Sequence, residues 1–240
     1  MYSKSTLIAM VACVLLSSSC SSRLPWKNEP VGQEVNMVLT LRGNVVILTS
    51  LTVNGVPGRF ILGVANARTA LDPRFLKRLP PSETHSLELN ARQSLAFTPT
   101  AIDMHGLADG ILGADVWKSL AITVDYRSGL LTMQREGIHP ELMTLTRFDA
   151  EPEVELTVDG APIRAIVDTA SPDSLVLPGA TVPSRRTARI TIGGVTFPAM
   201  DIREAAVTRP RVGNRLLSKF LMTVDYGRRQ VGLWRDPRIR

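Results

Sequence analysis

Apolar and polar residues alternate along most of the chain from residue 35 onward, and this period of two predicts β-strands. Residues 35–40 and 44–53 are rich in Val, Leu, Ile and Thr, which favour strands. Asn54-Gly55 and Asp159-Gly160 each lie between two such runs, and both dipeptides suit a two-residue hairpin turn whose φ angles are positive. Short helices are predicted at residues 74–79, 115–120 and 215–220, and the pattern over residues 140–146 is ambiguous. The pattern therefore predicts a mostly β protein with a few short helices.

One segment of the chain is repeated without a gap at an offset of 105 residues. The copy at 51–65 reads LTVNGVPGRFILGVA, and the copy at 156–170 reads LTVDGAPIRAIVDTA. The second copy ends in Asp168, Thr169 and Ala170. The first copy has Gly63, Val64 and Ala65 at those positions, so it lacks both the carboxylate and the hydroxyl.

A second pair of segments, 111–126 and 212–226, repeats at an offset of 100, and both copies end in Val-Asp-Tyr. Each is followed by a further strand-like run, 130–133 or 231–234. Two segment types that recur in the same order indicate an internal duplication. The halves predicted from it lie at 35–137 and 150–240, with a linker at 138–149.

The N-terminal twenty residues have the pattern of a secretory signal. Lys4 precedes an apolar run over 7–16, which is too short to span a membrane, and three serines then lead to Cys20. A Cys after small residues resembles the lipobox of bacterial lipoproteins, although Leu16 lies four residues before Cys20 where that pattern has it three before. The resemblance implies a signal peptide at 1–20, a lipid on Cys20 and a polar tether at 21–34.

Two interpretations of this N-terminus stay open, because ordinary signal cleavage beside an incidental Cys is the alternative. Ser21 after Cys20 resembles the lipoproteins that are sorted to the outer membrane. That resemblance implies the bacterial cell envelope, with the protein anchored through its lipid on the periplasmic face of the outer membrane.

The composition suits a folded core, with 44% hydrophobic and 21% charged residues. The net charge of +6 is interpreted as solvated surface charge or as attraction to an anionic membrane face. No aromatic-and-basic pattern indicates nucleic-acid binding. His85, His105 and His139 have no metal-like spacing, so neither a metal nor another cofactor is expected.

The order of segments resembles the retropepsin-like aspartic peptidases. That order is a hairpin, an apolar strand ending in Asp-Thr-Ala, a second hairpin, a hydrophobic-Gly pair before a short helix, and Val-Asp-Tyr. In the second half the matching segments are 166–171 (IVDTAS), 192–197 (IGGVTF) and 212–217 (VGNRLL). The resemblance covers nearly all of residues 45–234. It implies a two-lobed pair of acid-protease β-barrels with pseudo-twofold symmetry.

The resemblance also implies a cleft between the lobes, below hairpins near 88–98 and 190–197, that holds an extended peptide. In the family, one Asp from each half shares a proton with the other. One acts as general base on a water while the other polarises the scissile carbonyl. The resemblance assigns these roles to Asp168 as base and Thr169 as its orienting partner. It places Ala170, Ser171, Gly193 and Gly194 beside the ligand.

Asp168 has three possible roles, because the first half is degenerate at Gly63, Val64 and Ala65. It can be a lone carboxylate in a site that binds peptide without cutting it. It can belong to an active endopeptidase that finds its second acid in a homodimer or outside the motif. It can also be purely structural, accepting loop N–H bonds. The preserved length of the first half argues for a monomer, and an envelope-anchored peptide-binding homologue is the expected function.

Overall fold

The computed structural model describes residues 34–90, 93–134, 142–179 and 181–235. Over these residues the protein is mostly β, as the alternating pattern predicts. The predicted signal peptide and Cys20 lie outside the described residues, as does nearly all of the tether. No helix among the described residues is long and apolar enough to cross a membrane.

The first half contains ten strands and two helices of a single turn. In chain order they are β1 (Val35–Arg42), β2 (Val45–Val53), β3 (Val56–Leu62), β4 (Ala70–Leu71), α1 (Pro73–Leu76), β5 (His85–Asn90), β6 (Gln93–Phe97), β7 (Thr100–Ala101), β8 (Gly110–Leu112), α2 (Ala114–Trp117), β9 (Ala121–Asp125) and β10 (Leu130–Gln134). Both helices are shorter than the sequence pattern predicts.

Nine strands and a third short helix follow. They are β11 (Thr144–Arg147), β12 (Glu153–Val158), β13 (Ala161–Asp168), β14 (Leu175–Pro178), β15 (Ser184–Ile192), β16 (Val195–Ala205), β17 (Arg211–Gly213), α3 (Asn214–Leu217), β18 (Leu221–Asp225) and β19 (Gln230–Trp234). β11 lies inside the predicted linker at 138–149, but it pairs with β19. These four residues are therefore part of a sheet rather than of a connection.

The strands form two sheets. The larger has thirteen strands, eleven of them in the order β11-β19-β18-β9-β10-β1-β2-β3-β8-β4-β7, and β5 and β6 continue it from β2. The second sheet is a closed barrel in the order β12-β13-β17-β14-β16-β15. The large sheet runs from strands of the first half into β18 and β19 of the second, so the two halves share it.

The contact between the halves in this sheet is the antiparallel pair β9 and β18. Thr123 lies opposite Thr223, and their buried hydroxyl oxygens are 2.8 Å apart. On either side, Asp125 pairs with Leu221 and Ala121 pairs with Asp225. Each of these pairs is the counterpart of the other at the offset of 100, so the register is symmetric about the two threonines.

The same connections recur in each half. β8 runs parallel to β3 and antiparallel to β4, and β17 has the same relation to β13 and β14. The hairpin turns predicted at Asn54-Gly55 and Asp159-Gly160 are confirmed, because all four residues have positive φ. A helix, α1, follows β4 in the first half, whereas none follows the equivalent strand β14 among the described residues of the second. In that helix Phe75 packs edge-on against Phe60 with ring centroids 5.5 Å apart, deep in the core.

Candidate functional site

The loops that follow β3 and β13 have the same backbone geometry. In the first half the N–H of Asn66 donates to the carbonyl of Gly63 at 3.0 Å. In the second half the N–H of Ser171 donates to the carbonyl of Asp168 at 3.1 Å. Asp168 ends its strand opposite Gly213 of β17. The repeat therefore builds two equivalent turns, and only one of them carries a carboxylate.

Thr169 joins the two loops to each other. Its hydroxyl accepts a hydrogen bond from the N–H of Val64 at 3.2 Å and donates to the carbonyl of Leu62 at 2.5 Å. The side chain is completely buried. Val64 stands where the second half has this threonine, and it has no hydroxyl to return the bonds. The threonine hydroxyl that links the two loops is therefore supplied by the second half only.

Two tyrosines, which end the Val-Asp-Tyr segments, reinforce this joint. The hydroxyl of Tyr226 donates to the carbonyl of Val64 at 2.7 Å, and that of Tyr126 donates to Oδ1 of Asn214 at 2.9 Å. The Nδ2 of Asn214 in turn donates to the carbonyl of Thr169 at 2.6 Å. Burial raises the pKa of both phenols above the ordinary tyrosine value, so both remain protonated donors.

The carboxylate of Asp168 is almost buried and has partners on both oxygens. Nη1 of Arg211 donates to Oδ2 at 3.0 Å, and the N–H of Ala170 donates to Oδ1 at 3.1 Å. Arg211 comes from β17, the strand beside β13. The sequence reasoning missed this arginine, although it directly precedes the hydrophobic-Gly pair that was singled out. Asp168 is thus an anion compensated by a guanidinium of its own half.

The equivalent space in the first half is filled by other atoms. A Cβ placed on Gly63 would lie 2.6 Å from Cγ1 of Ile111 and 2.7 Å from Oδ1 of Asn66. Real Cβ atoms do not approach neighbours so closely. A side chain at position 63 would therefore require Ile111 and Asn66 to move from the positions that they occupy in this structure.

The four acids considered as replacements have local partners. Asp72 caps α1, as its place before Pro73 predicts, and accepts from the N–H of Arg74 at 2.8 Å. The other three accept hydrogen bonds from N–H groups of their own lobe, Asp103 from His105, Asp109 from Arg59 and Asp125 from Arg127. Each of these carboxylates therefore already accepts a hydrogen bond within the first half.

Gly193 and Gly194 form the tip of the β15–β16 hairpin, where both have positive φ. They line an open pocket of about 590 Å³ whose wall includes Ile163 of β13, and Asp168 is not among its lining residues. Ile163 lies five residues before Asp168, which is about 16 Å along an extended strand. The structure therefore does not bring the two glycines to the carboxylate.

Ala170 and Ser171 follow Asp168 in the loop after β13. Ala170 is partly buried and packs against an apolar cluster of the first half, which comprises Val45, Ile47, Ile61, Ala70, Ala108 and Ile111. Met104 packs against the same cluster. Ala170 therefore places the second-half loop directly against the apolar surface of the first half.

The cluster in the first half contains a row of side chains across neighbouring strands. Residues that face each other in adjacent strands point to the same side of a sheet. The pairings give the order Ile47, Ile61, Ile111, Ala70 and Thr100. Ile61 of this row lies two residues before Gly63, and the row is apolar except at its end.

The second half carries a different row at the corresponding place. Its pairings give the order Glu153, Ile166, Arg211, Val176, Arg203 and Arg185, and Ile166 lies two residues before Asp168. Asp173 binds two of these arginines, with its Oδ2 at 2.8 Å from Nε of Arg203 and its Oδ1 at 3.7 Å from Nη2 of Arg185. The row beside Gly63 is therefore apolar and buried, whereas the row beside Asp168 carries three guanidinium groups.

The histidines do not come together. His85 is buried, and its Nδ1 lies 2.8 Å from Nδ2 of Asn54. His105 is exposed beside Asp103, and His139 lies outside the described residues. Within the described ranges, no group of three or more His, Cys, Asp or Glu side chains is placed to hold a metal ion.

Comparison with protein-family models finds no match for this chain, and comparison with curated proteins finds none either.

Proposed function

We propose that this chain is a retropepsin-like protein that binds an extended polypeptide between two lobes and does not cleave it. The observation that carries the proposal is that the two equivalent loops have different residues and different neighbours at the position of the acid. Asp168 is held by Arg211, whereas the space at Gly63 is occupied by Ile111.

The acid-protease pairing of two lobes is the first part of this proposal. Its support is the recurrence of the same strand connections in each half and the symmetric register about Thr123 and Thr223. The crossing bonds of Thr169 add to this support, because they link the two loops in which the family places its acids. A pseudo-twofold axis between the halves accounts for all three features.

The absence of cleavage follows from the chemistry of the dyad. Two neighbouring carboxylates share one proton, and this arrangement supplies a base for water and an acid for the carbonyl. At Gly63, the position equivalent to Asp168, the first half offers an aliphatic side chain and a carboxamide, neither of which can share a proton in this way. Both oxygens of Asp168 already accept hydrogen bonds, which suits a structural anion or a binding group better than a base.

Polypeptide binding is supported by the surface beside the joint. The loop after β7 exposes Ile102 and Leu107, and Met104 between them in the chain packs against the buried apolar cluster. An extended peptide placed there would bury these side chains and use its own main chain for hydrogen bonds. The proposed location is the cell envelope, with a lipid on Cys20. Metabolic labelling with an alkynyl fatty acid, compared with Cys20→Ser, tests this anchor.

The main experiment combines cleavage and binding on the full chain. A peptide library is incubated with the wild type and with Asp168→Asn at pH values from about 3 to 7, the range in which such dyads titrate. Products are read by mass spectrometry, and bound peptides are recovered from the immobilised protein. We expect no cleavage by either protein and a retained set of peptides. Leu107→Glu should reduce the number of retained peptides, because it puts a charge on the exposed apolar surface formed by Ile102 and Leu107.

Val38→Glu is the matched control, because Val38 is also exposed and apolar but lies on β1 of the shared sheet. It should leave the retained peptides unchanged. Cleavage by the wild type that disappears in Asp168→Asn would replace the proposal with an active aspartic endopeptidase. No retention by any folded variant would leave a structural role for Asp168, which lower thermal stability of Asp168→Ala would then support.

A further inference from the structure

The first half leaves open a strand edge that the second half covers. In the second half β14 and β16 pair in parallel, and residues 184–187 of β15 lie antiparallel along the other edge of β16. In the first half β4 and β7 pair in the same parallel way. Among the described residues, however, no strand pairs with the other edge of β7. The second barrel is closed by β15, whereas the first-half sheet ends at β7.

The exposure of equivalent residues follows this difference. Thr100 of β7 and Arg203 of β16 occupy equivalent positions beside β4 and β14. Two residues further on, Ile102 is therefore the counterpart of Ala205. Ile102 is 48% exposed and Ala205 is 7% exposed. The edge of β7 is thus open to an approaching chain, although it carries an apolar side chain at its end.

The segment of the first half that corresponds to the covering part of β15 does not pair with β7. Leu87 of β5 and Ile190 of β15 occupy equivalent positions beside β2 and β12, so residues 81–84 correspond to that part. Its first residue is a proline preceded by another proline, and proline has no N–H for a strand ladder. The hydroxyl of Ser82 also bonds the N–H and the carbonyl of Thr84 in a local turn. The position beside β7 is therefore left to another chain.

The main chain of Ala101 faces this open edge. In a parallel pair, alternate residues direct both their N–H and their C=O to the same neighbouring strand. The N–H of Thr100 donates to the carbonyl of Thr69 at 3.0 Å, and that of Ile102 donates to the carbonyl of Leu71 at 3.0 Å. Ala101 lies between them, so its N–H and C=O point away from β4. Such groups on a strand edge are the ones that an added strand binds.

We infer that β7 binds an extended segment of another polypeptide, which adds as an antiparallel strand along the edge that β15 covers in the second half. This inference rests on the proposed function, because it takes the ligand to be a polypeptide, and it names the main-chain groups that hold it. The N–H and C=O of Ala101 exchange hydrogen bonds with one residue of the ligand. Ile102 offers an apolar contact beside them. Because main-chain groups supply the hydrogen bonds, the site accepts many sequences that lack proline where they pair.

The test measures binding of an end-capped, labelled peptide, Lys-Thr-Val-Thr-Val-Thr-Lys, to the full chain by fluorescence polarisation. In a second peptide the three central amides are N-methylated, which removes their donors and keeps the side chains. We expect the methylated peptide to bind about tenfold more weakly. Amide exchange followed by NMR gives the location. At saturation the Ala101 amide should exchange about tenfold more slowly, whereas the Ile102 amide, which already donates to Leu71, should not change.

Ala101→Pro should weaken the unmethylated peptide about five- to tenfold, because it removes the outward N–H. A sheet edge tolerates the proline ring, so the fold should persist. Ala101→Val is the matched control. It changes the side chain at the same position, keeps the N–H and suits a strand, so the affinity should change less than about twofold. Circular dichroism establishes that each variant is folded.

The outcomes separate the inference from the proposed function. If library peptides are retained but the probe does not bind, or binds equally well when it is methylated, strand addition is wrong and polypeptide binding stands. If no peptide binds to the folded protein, both fail. Slow exchange of the Ala101 amide without added peptide would show that the protein itself covers the edge. A dimer that Ala101→Pro converts to a monomer in light scattering would assign the edge to a second copy. Either of these results overturns the inference.

Discussion

Ile111 and Arg211 lie at the same position in the two halves and have opposite relations to the loop beside them. Ile111 pairs with Ile61 in parallel strands, and Arg211 pairs with Ile166 in the same way. Ile111 fills the space at Gly63, whereas Arg211 binds the carboxylate at the equivalent position. A carboxylate accompanies a guanidinium in one half, and a glycine accompanies an aliphatic side chain in the other. The missing acid is therefore accommodated by complementary packing.

Gly63→Asp should destabilise the fold by about 2 to 3 kcal/mol, because its Cβ would overlap Ile111 and Asn66. Ile111→Ala removes the overlapping Cγ1 atom. In the double variant the loss of stability should be smaller than the sum of the two single losses by at least about 1 kcal/mol. Urea unfolding of the four proteins measures this coupling.

Ile47→Ala is the control for that cycle, because Ile47 belongs to the same cluster but lies two strands away from Ile111. The free energy of unfolding lost in Ile47→Ala should add to that lost in Gly63→Asp, with no coupling between the two substitutions. Equal coupling in both cycles would show that the overlap is not specific to Ile111. Adding Val64→Thr to the Gly63→Asp, Ile111→Ala variant restores both the acid and the hydroxyl of the family motif in the first half. Cleavage at acid pH would then become possible, so this triple variant also tests whether the first half is a degenerate catalytic half.

Thr169→Val should lower the free energy of unfolding by about 2 to 4 kcal/mol, because it leaves the buried N–H of Val64 and carbonyl of Leu62 without their partner. Thr169→Ser keeps the hydroxyl and loses one methyl group, so it should cost about 1 kcal/mol. Chemical denaturation gives both values. Similar losses in the two variants would mean that the methyl group, not the crossing hydrogen bonds, stabilises the joint.

The sequence predicts the strands and the repeated turns because their signals are local. Asn54-Gly55 and Asp159-Gly160 set the hairpins, and the alternation of apolar residues sets which face of each strand is buried. The position of Asp72 before Pro73 also predicts its capping role from neighbouring residues alone. These features need no knowledge of distant contacts.

Other features depend on contacts between residues far apart in the chain. The partnership of Arg211 with Asp168 spans 43 residues and requires the parallel pairing of β13 with β17. The position of Gly193 beside a separate pocket depends on where the hairpin packs against the barrel. The alternation in a short run such as β11 is also too brief to distinguish an edge strand from a linker.

Thr123→Val and Thr223→Val should each cost about 1 to 3 kcal/mol, since each leaves one buried hydroxyl without its partner. The double variant should lose less than the sum of the single losses, because it replaces both hydroxyls by groups of the same shape. Thr191 and Thr196 form a matched control pair, with hydroxyls 2.9 Å apart at an exposed site. There water replaces the lost partner, and no coupling above about 0.5 kcal/mol is expected.

Asp72 should make the stability of the first half depend on pH. The side-chain hydrogen bonds from Arg74 and the N–H of Met104 hold its pKa well below the usual aspartate range. The unfolded chain therefore binds a proton at a higher pH than the folded protein does, so stability rises with pH through this interval. The contribution is complete above the ordinary Asp pKa of about 3.9 and is lost as the pH falls toward the folded pKa.

Asp72→Asn should accordingly lower the urea midpoint at pH 6, and the difference from the wild type should shrink as the pH falls below about 3.9. Asp201→Asn is the control, since it removes an exposed ion pair with Arg215 and should change the midpoint little at pH 6. A difference between wild type and Asp72→Asn that stays constant down to pH 2.5 would contradict the role of the charge. It would assign the stabilisation to the shape of the cap, which asparagine preserves because it also accepts a hydrogen bond from the helix N-terminus.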